Sequence, residues 1–333
     1  MPLNPSRAFV SLTLAVLTLT AVGAPARKSL RPETLPGAVL WQDPGNITSR
    51  DLYYGPGGEK DQPRGPFTFE KEDLDGSNPK FVVLDRDGVK WKVKLGTEAR
   101  PETVASRLVW AVGYFTDEDY FLPDFKAGAM PAHLRRGQEL VAADGSLRNV
   151  RLKRYLKGQE KLGYWSWRDG AMGHTRELNG LRVMMALIDN WDLKDENNSI
   201  YQVKGEHPVY VVSDLGASFG TTGNHGPAGK GNLQAYIHSR FVTRVTPEYV
   251  DFKTPSLPAL THVFDPPAYL RRVRLEWIGK HIPTTDARWI GQMLARLSPD
   301  QIEACFRAAG YGPAEVTAFA GVVEARIAGL NKL

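Results

Sequence analysis

The sequence predicts an α+β fold in two lobes, a small β-rich one first and a larger, mainly helical one after it. Three observations predict it. Two apolar stretches between residues 80 and 95 flank Asp87 and Gly88, a pair that favours a tight hairpin turn. Residues 101–112 and 175–191 carry apolar side chains at helical spacing. The last third holds two helix starts marked by capping residues or proline.

In chain order, Arg7 precedes a mostly apolar run from Ala8 to Val22 that ends in small residues through Ala24. That layout predicts a secretory leader over 1–24; the alternative is an uncleaved membrane anchor. Residues 25–78 form an extended region rich in Gly and Pro, including Gly55, Gly57 and Gly58. A small-lobe core is expected over 79–125, and a helical lobe over 126–333. In the second strand Val89, Trp91, Val93 and Leu95 alternate with Lys90, Lys92 and Lys94, so one face is apolar and the other cationic. Pro101 suits a helix start, Val104, Leu108, Ala111 and Val112 mark its buried face, and Gly113 ends it.

The stretch 147–161 holds six Lys or Arg against one Glu, and reads as a solvated surface or a seat for an anionic partner. A deeply buried helix over 175–191 follows, with Leu178, Leu181, Met185 and Ile188 in one stripe. After a loop come a short strand and an unbroken apolar one, Pro208 to Val212, then a loop with Gly220, Gly223, Gly226, Gly229 and Gly231. Ser298 with Gln301 forms a capping box around Pro299, and Pro313 opens the last helix.

Several function classes are disfavoured by composition. The 333 residues carry 42 Lys+Arg and 37 Asp+Glu, a net charge of +5 that is too mild to imply nucleic acid. The single cysteine, Cys305, excludes an internal disulfide framework and any Cys-rich zinc module, and its apolar helical setting makes it a core residue. Seven histidines stand singly without metal-ligand spacing, and no Gly-x-Ser-x-Gly elbow occurs.

One constellation carries chemistry. Asp192, Lys194 and Asn197 follow a buried helix in the pattern D-x-K-x-x-N, and an apolar strand delivers Asp214 and Gly216 in the pattern D-x-G. Asp214 and Asn197 supply hard oxygens for a divalent cation, while Asp192 is close enough in sequence to accept a substrate proton. Upstream, Lys94 ends a strand and Glu102 lies in the next helix. In motif order these residues resemble the protein-kinase-like superfamily, nearer its lipid-kinase-like and secretory-pathway branches.

The resemblance covers about Phe81 to Gly220, and it implies a bilobal kinase-like fold with a nucleotide between the lobes. It further implies ATP with Mg²⁺ or Mn²⁺ as cofactors and a hydroxyl-bearing protein, lipid or sugar as substrate. In that scheme Asp192 and Lys194 are catalytic, Lys94 and Glu102 position phosphates, and Asn197 and Asp214 hold metal. The pattern departs from the usual one in three places. Asn190 and Trp191 stand where His-Arg is usual, Leu215 replaces Phe, and no glycine-rich hairpin directly precedes the lysine strand. A catalytically inactive binding protein, or a nucleotidyltransferase, fits the same residues. The leader points to an exported, periplasmic or secreted location.

Overall fold

The computed structural model describes residues 37–333 apart from 77, 169–171, 222–228 and 255–265. The expected leader, and Gly223 and Gly226 of the glycine-rich loop, lie outside the described residues. The first half runs β1 (Phe67–Glu72), β2 (Lys80–Leu84), β3 (Lys90–Lys94), α1 (Ala99–Ala111), β4 (Phe115–Thr116), β5 (Asp119–Phe125), β6 (Ala127–Gly128) and β7 (Leu147–Arg154). All these strands except β4 join one sheet in the order β5-β7-β3-β2-β1-β6.

The β2–β3 hairpin forms where the sequence places it. Asp85 Oδ1 accepts from the amides of Asp87 and Val89, and Gly88 takes φ +74°, a left-handed turn conformation that costs glycine little. Phe81, Val83, Trp91 and Val93 then fill one face of the sheet, with Phe125, Leu147, Val150 and Leu152 beside them. The sheet is wider than the expected small-lobe span of 79–125. It begins at Phe67 and draws β7 out of the basic stretch. Asn149, at φ +54°, interrupts the alternation of β7, and Arg151 is turned inward at 4% exposure. A strand whose cations are neutralised by buried acids gives no hydrophobic period to read.

Helix α1 ends at Gly113, where φ is +99° and a Cβ would lie 2.2 Å from the Gln42 carbonyl oxygen. Most of this helix is buried, and its Val104, Leu108 and Val109 belong to the larger core with α2 and the C-terminal helices. Residues 37–55 are tied down as well. Val39 pairs with Val209, Leu40, Ile47 and Leu52 are core residues, and Gln301 Nε2 donates to the Ile47 and Arg50 carbonyls.

The second half runs β8 (Gln159–Gly163), α2 (Arg176–Leu187), β9 (Asn198–Val203), β10 (Val209–Val212), α3 (Leu233–His238), β11 (Val242–Val245), β12 (Tyr249–Phe252), α4 (Pro266–Val273), β13 (Ile282–Pro283), α5 (Thr284–Leu294), α6 (Pro299–Ala308) and α7 (Pro313–Leu330). A second sheet has four strands in the order β4-β10-β9-β8, and a three-stranded sheet, β11-β12-β13, interrupts the helices of the last third. That small sheet is absent from the sequence expectation because its strands are two to four residues long and partly exposed. The Ser298–Gln301 capping box forms with Pro299 as the first residue of α6, Pro313 opens α7, and Cys305 is fully buried. No helix among the described residues is long and apolar enough to cross a membrane. The outcome is a small curled sheet followed by a larger, mainly helical lobe, as expected.

Candidate functional site

The site starts from a row of cations laid across the first sheet. In register, Lys80 of β2 lies opposite Lys94 of β3, and Lys94 lies opposite Arg151 of β7. Directly opposed residues share a face, so three cations line one side of the sheet. The three lysines of β3 have different fates. Lys90 and Lys92 make ion pairs of 2.8 and 2.6 Å with Glu70 and Asp73 near the surface. Lys94 is buried, and its Nζ lies 2.8 Å from Glu98 Oε2, 2.8 Å from Glu102 Oε2 and 2.5 Å from Asp214 Oδ1. An ammonium has three protons, and here each has a carboxylate.

The three carboxylates come from different places. Glu98 immediately precedes α1, Glu102 sits in its first turn, and Asp214 follows β10. Their oxygens lie within 4.8 Å of one another. Unscreened, they would repel; Lys94 holds them together. Burial would lower the Lys94 pKa, but Glu102, Asp214 and Glu98 more than reverse that and keep the ammonium charged. Burial likewise would raise the Asp214 carboxyl, yet Lys94, Arg151 and Lys80 bring it down to about 2. Glu102 is shared: its other oxygen accepts from Arg151 at 2.6 Å. Arg151 in turn faces Asp119, which forms a 2.8 Å ion pair with Arg107 of α1.

The two loops reach this centre through backbone geometry. Helix α2 starts at Thr175, whose hydroxyl accepts from the Leu178 amide, and it ends sooner than the expected Trp191. Asp189, at φ +55°, donates to Ala186 O, and Asn190 donates to Met185 O, the double bond of a Schellman stop. The stop throws Asn190 to Asn197 out as a loop. Strand β9 then pairs antiparallel with β10, with Asn198 opposite Val212. Asn197 just before β9 and Ser213 just after β10 line the same small cavity, so the ends of both loops meet.

Asn197 Nδ2 donates to Asp192 O at 2.6 Å, and Lys194 Nζ lies 2.9 Å from Asp192 Oδ1. A small cavity touches Asp192, Lys194, Asn197 and Ser213 together. The Trp191 amide donates to Ala217 O and the Phe219 amide to Ile188 O, which clips the second loop to the first.

The six residues singled out from sequence fall into two contact groups, Glu102 with Lys94 and Asp214, and Asp192 with Lys194 and Asn197; Ser213, the neighbour of Asp214, lines the small cavity of the second group. Trp191 packs as a largely buried residue, its Nε1 donating to Gly229 O at 2.6 Å. The glycines at 55, 57 and 58 lie elsewhere. Gly55 packs on Arg107 and Gly57 on Tyr120, against α1 and the edge strand β5, with β7 between them and Lys94.

Sequence reasoning missed Glu98, Arg151 and Lys230. Lys230 Nζ lies 2.5 Å from Glu98 Oε1, and the Asn78 side-chain amide donates to Glu98 Oε2 at 2.7 Å. The four-residue spacing from Lys94 to Glu98 was a signal, but without the helix start it reads as any surface pair. Gly216 is explained by the same residue. A Cβ there would lie 2.6 Å from Glu98 Cβ, so the second loop approaches α1 only with glycine at that position.

No protein-family model and no curated protein matches this chain. Among solved structures it is similar to the proinflammatory kinase CtkA of Helicobacter pylori, at 10% identity over 80% of this chain and 96% of that one, with a TM-score of 0.44. It is similar also to the Golgi casein kinase, at 9% identity over 80% of this chain and 75% of that one, with a TM-score of 0.31. By its lysine on the third strand, its helix glutamate and the loop aspartate that meet there, the chain has a two-lobed, kinase-like fold.

Proposed function

We propose that this protein is an ATP- and metal-dependent phosphotransferase acting on a hydroxyl of a protein, lipid or sugar. One observation carries the reading: Asp214, 120 residues from Lys94 in sequence, joins Lys94 and Glu102 in contacts of 2.8 Å or less on the cationic face of the small sheet. Phosphoryl transfer demands little covalent work from a protein and much positioning of charge. Asn197 and Asp214 are suited to a divalent cation. Among the described residues no hydrogen bond is made to Asp214 Oδ2 or Asn197 Oδ1, and both are hard oxygen donors. Bound there, Mg²⁺ or Mn²⁺ would neutralise phosphate charge. The three-carboxylate cluster is a poorer seat, because Lys94 already sits at its centre.

Asp192 is the proposed acceptor of the substrate proton. Its carboxylate is held by Lys194, which would pass to the transferring phosphoryl group. The run Ala8–Val22 and the small residues to Ala24 support action outside the cytoplasm, in a compartment or host cell that supplies nucleotide.

The test is a melting-shift titration with ATP and Mn²⁺ or Mg²⁺, on the wild type and on Asp214→Asn. Ligand at 100 times its dissociation constant stabilises by about 2.7 kcal/mol, which is readily seen. A shift in the wild type that is lost in the variant supports the metal–nucleotide site. Identical shifts, or none in either, reject it. Mass spectrometry of labelled acceptors then separates phosphoryl transfer from nucleotidyl transfer, and binding without turnover marks a catalytically inactive binder.

A further inference from the structure

The phosphate contact expected of Lys94 meets a donor-count problem. Its three N–H groups are already directed at Glu98, Glu102 and Asp214, and its side chain is 7% exposed. To touch a phosphate it must release one of these carboxylates, of which Glu98 and Glu102 are buried and Asp214 is half-exposed. A second lysine has no such constraint. Lys230 reaches Glu98 from the other side at 2.5 Å, and among the described residues that carboxylate is the one hydrogen-bond partner of its ammonium. Its side chain is 25% exposed.

The position of Lys230 is built. Gly229 O accepts from Trp191 Nε1, the Gly231 amide donates to Ser218 O, and the Asn232 amide donates to Phe219 O. These bonds fasten residues 229–232 to both loops of the site. Lys230 also lies 5.8 Å from the centre of the Trp191 ring, next to Asp192. Its ammonium thus bridges the loop of Asp192 and the carboxylate that contacts Lys94. The charge balance agrees. Lys80, Lys94, Arg107, Arg151 and Lys230 are five cations beside the four carboxylates Glu98, Glu102, Asp119 and Asp214, a surplus of one positive charge that favours an added anion.

On these grounds, and resting on the phosphotransferase reading, we infer that Lys230 is a phosphate-binding residue of the nucleotide, while Lys94 organises the carboxylates and contacts phosphate little. The experiment is calorimetric titration of ATP and AMP, with Mn²⁺ present, into wild type, Lys230→Gln and Lys230→Arg. Loss of one charge-assisted hydrogen bond should weaken ATP binding by about 10- to 100-fold and leave AMP binding unchanged. Lys230→Arg should retain the preference for ATP. A merely structural role would weaken both nucleotides together.

If Lys230→Gln binds ATP as the wild type does, or loses ATP and AMP equally, the assignment to Lys230 falls while the phosphotransferase reading stands. If the wild type binds neither nucleotide, that reading falls and takes this one with it. Lys230→Met, which keeps the aliphatic stem against Trp191, replaces the glutamine variant if the latter melts early.

Discussion

Replacing Lys94 by Met removes one cation and leaves three carboxylates facing each other. Their oxygens lie within 4.8 Å, so each pair repels by about 3.5 kcal/mol at an effective dielectric of 20. Arg151 and Lys230 still hold Glu102 and Glu98, which cancels part of that. The net loss at pH 7 should therefore match that of breaking a buried ion pair, about 3–5 kcal/mol. At about 2 °C per kcal/mol for a chain of this size, melting should fall by roughly 6–10 °C.

The pH dependence gives the sharper check. In the wild type Lys94, Arg151 and Lys80 hold the Asp214 carboxyl down at about 2, below its ordinary value, so its stabilising contribution should be complete above about pH 4 and lost only as pH falls through about 2. Between pH 7 and 4.5 that contribution is flat. In Lys94→Met the carboxylates lose their cation and one of them is pushed up, so the variant takes up a proton over this range. Its deficit against wild type should shrink on acidification, and Mn²⁺ at pH 7 should restore part of the loss. Urea unfolding at both pH values measures this. A variant as stable as wild type at pH 7, or a deficit unchanged at pH 4.5, would refute the picture of Lys94 as the charge at the centre of the cluster.

Other substitutions follow from the same packing. Gly216→Ala places a methyl 2.6 Å from Glu98 Cβ and should cost about 1–3 kcal/mol in chemical denaturation; wild-type stability would mean that this contact yields freely. Asp189 is pushed up to about 6 by burial, which Arg326 only partly offsets, so its ionisation opposes folding increasingly as pH rises from about 4 to about 6. Asp189→Asn, which tolerates the left-handed backbone, should flatten that decline and be more stable at pH 7 by at most about 3 kcal/mol, measured as unfolding free energy against pH. Burial pushes the Cys305 thiol up to about 12, so a thiol reagent should label the protein only as it unfolds; stoichiometric labelling of native protein at pH 8 would contradict its place in the core.

Local chemistry was legible wherever a residue's neighbours in sequence are its neighbours in space. The Asp87–Gly88 hairpin, the alternation that buries Trp91 and Val93, the Ser298 capping box and the proline at the head of α7 all act within a few residues, and each formed as read. The order of Lys94, Glu102, Asp192, Asn197 and Asp214 was legible too, because spacing along the chain survives folding.

What the sequence could not show was which lysine of β3 would be buried. Lys90, Lys92 and Lys94 share a face and a chemistry, and only the arrival of α1 and Asp214 over the end of the strand separates them. Glu98, Arg151 and Lys230 were invisible for the same reason. Each is polar and sits in an unremarkable local setting, yet the strand pairing of β3 with β7 and the bonds from residues 229–232 to the second loop bring them together. The sequence determined by itself the β2–β3 hairpin, the starts of α1, α2, α6 and α7, and where the reactive groups lie along the chain. Only the tertiary structure decided which charges meet, because ion pairs between distant segments depend on sheet register and helix packing, which no local pattern encodes.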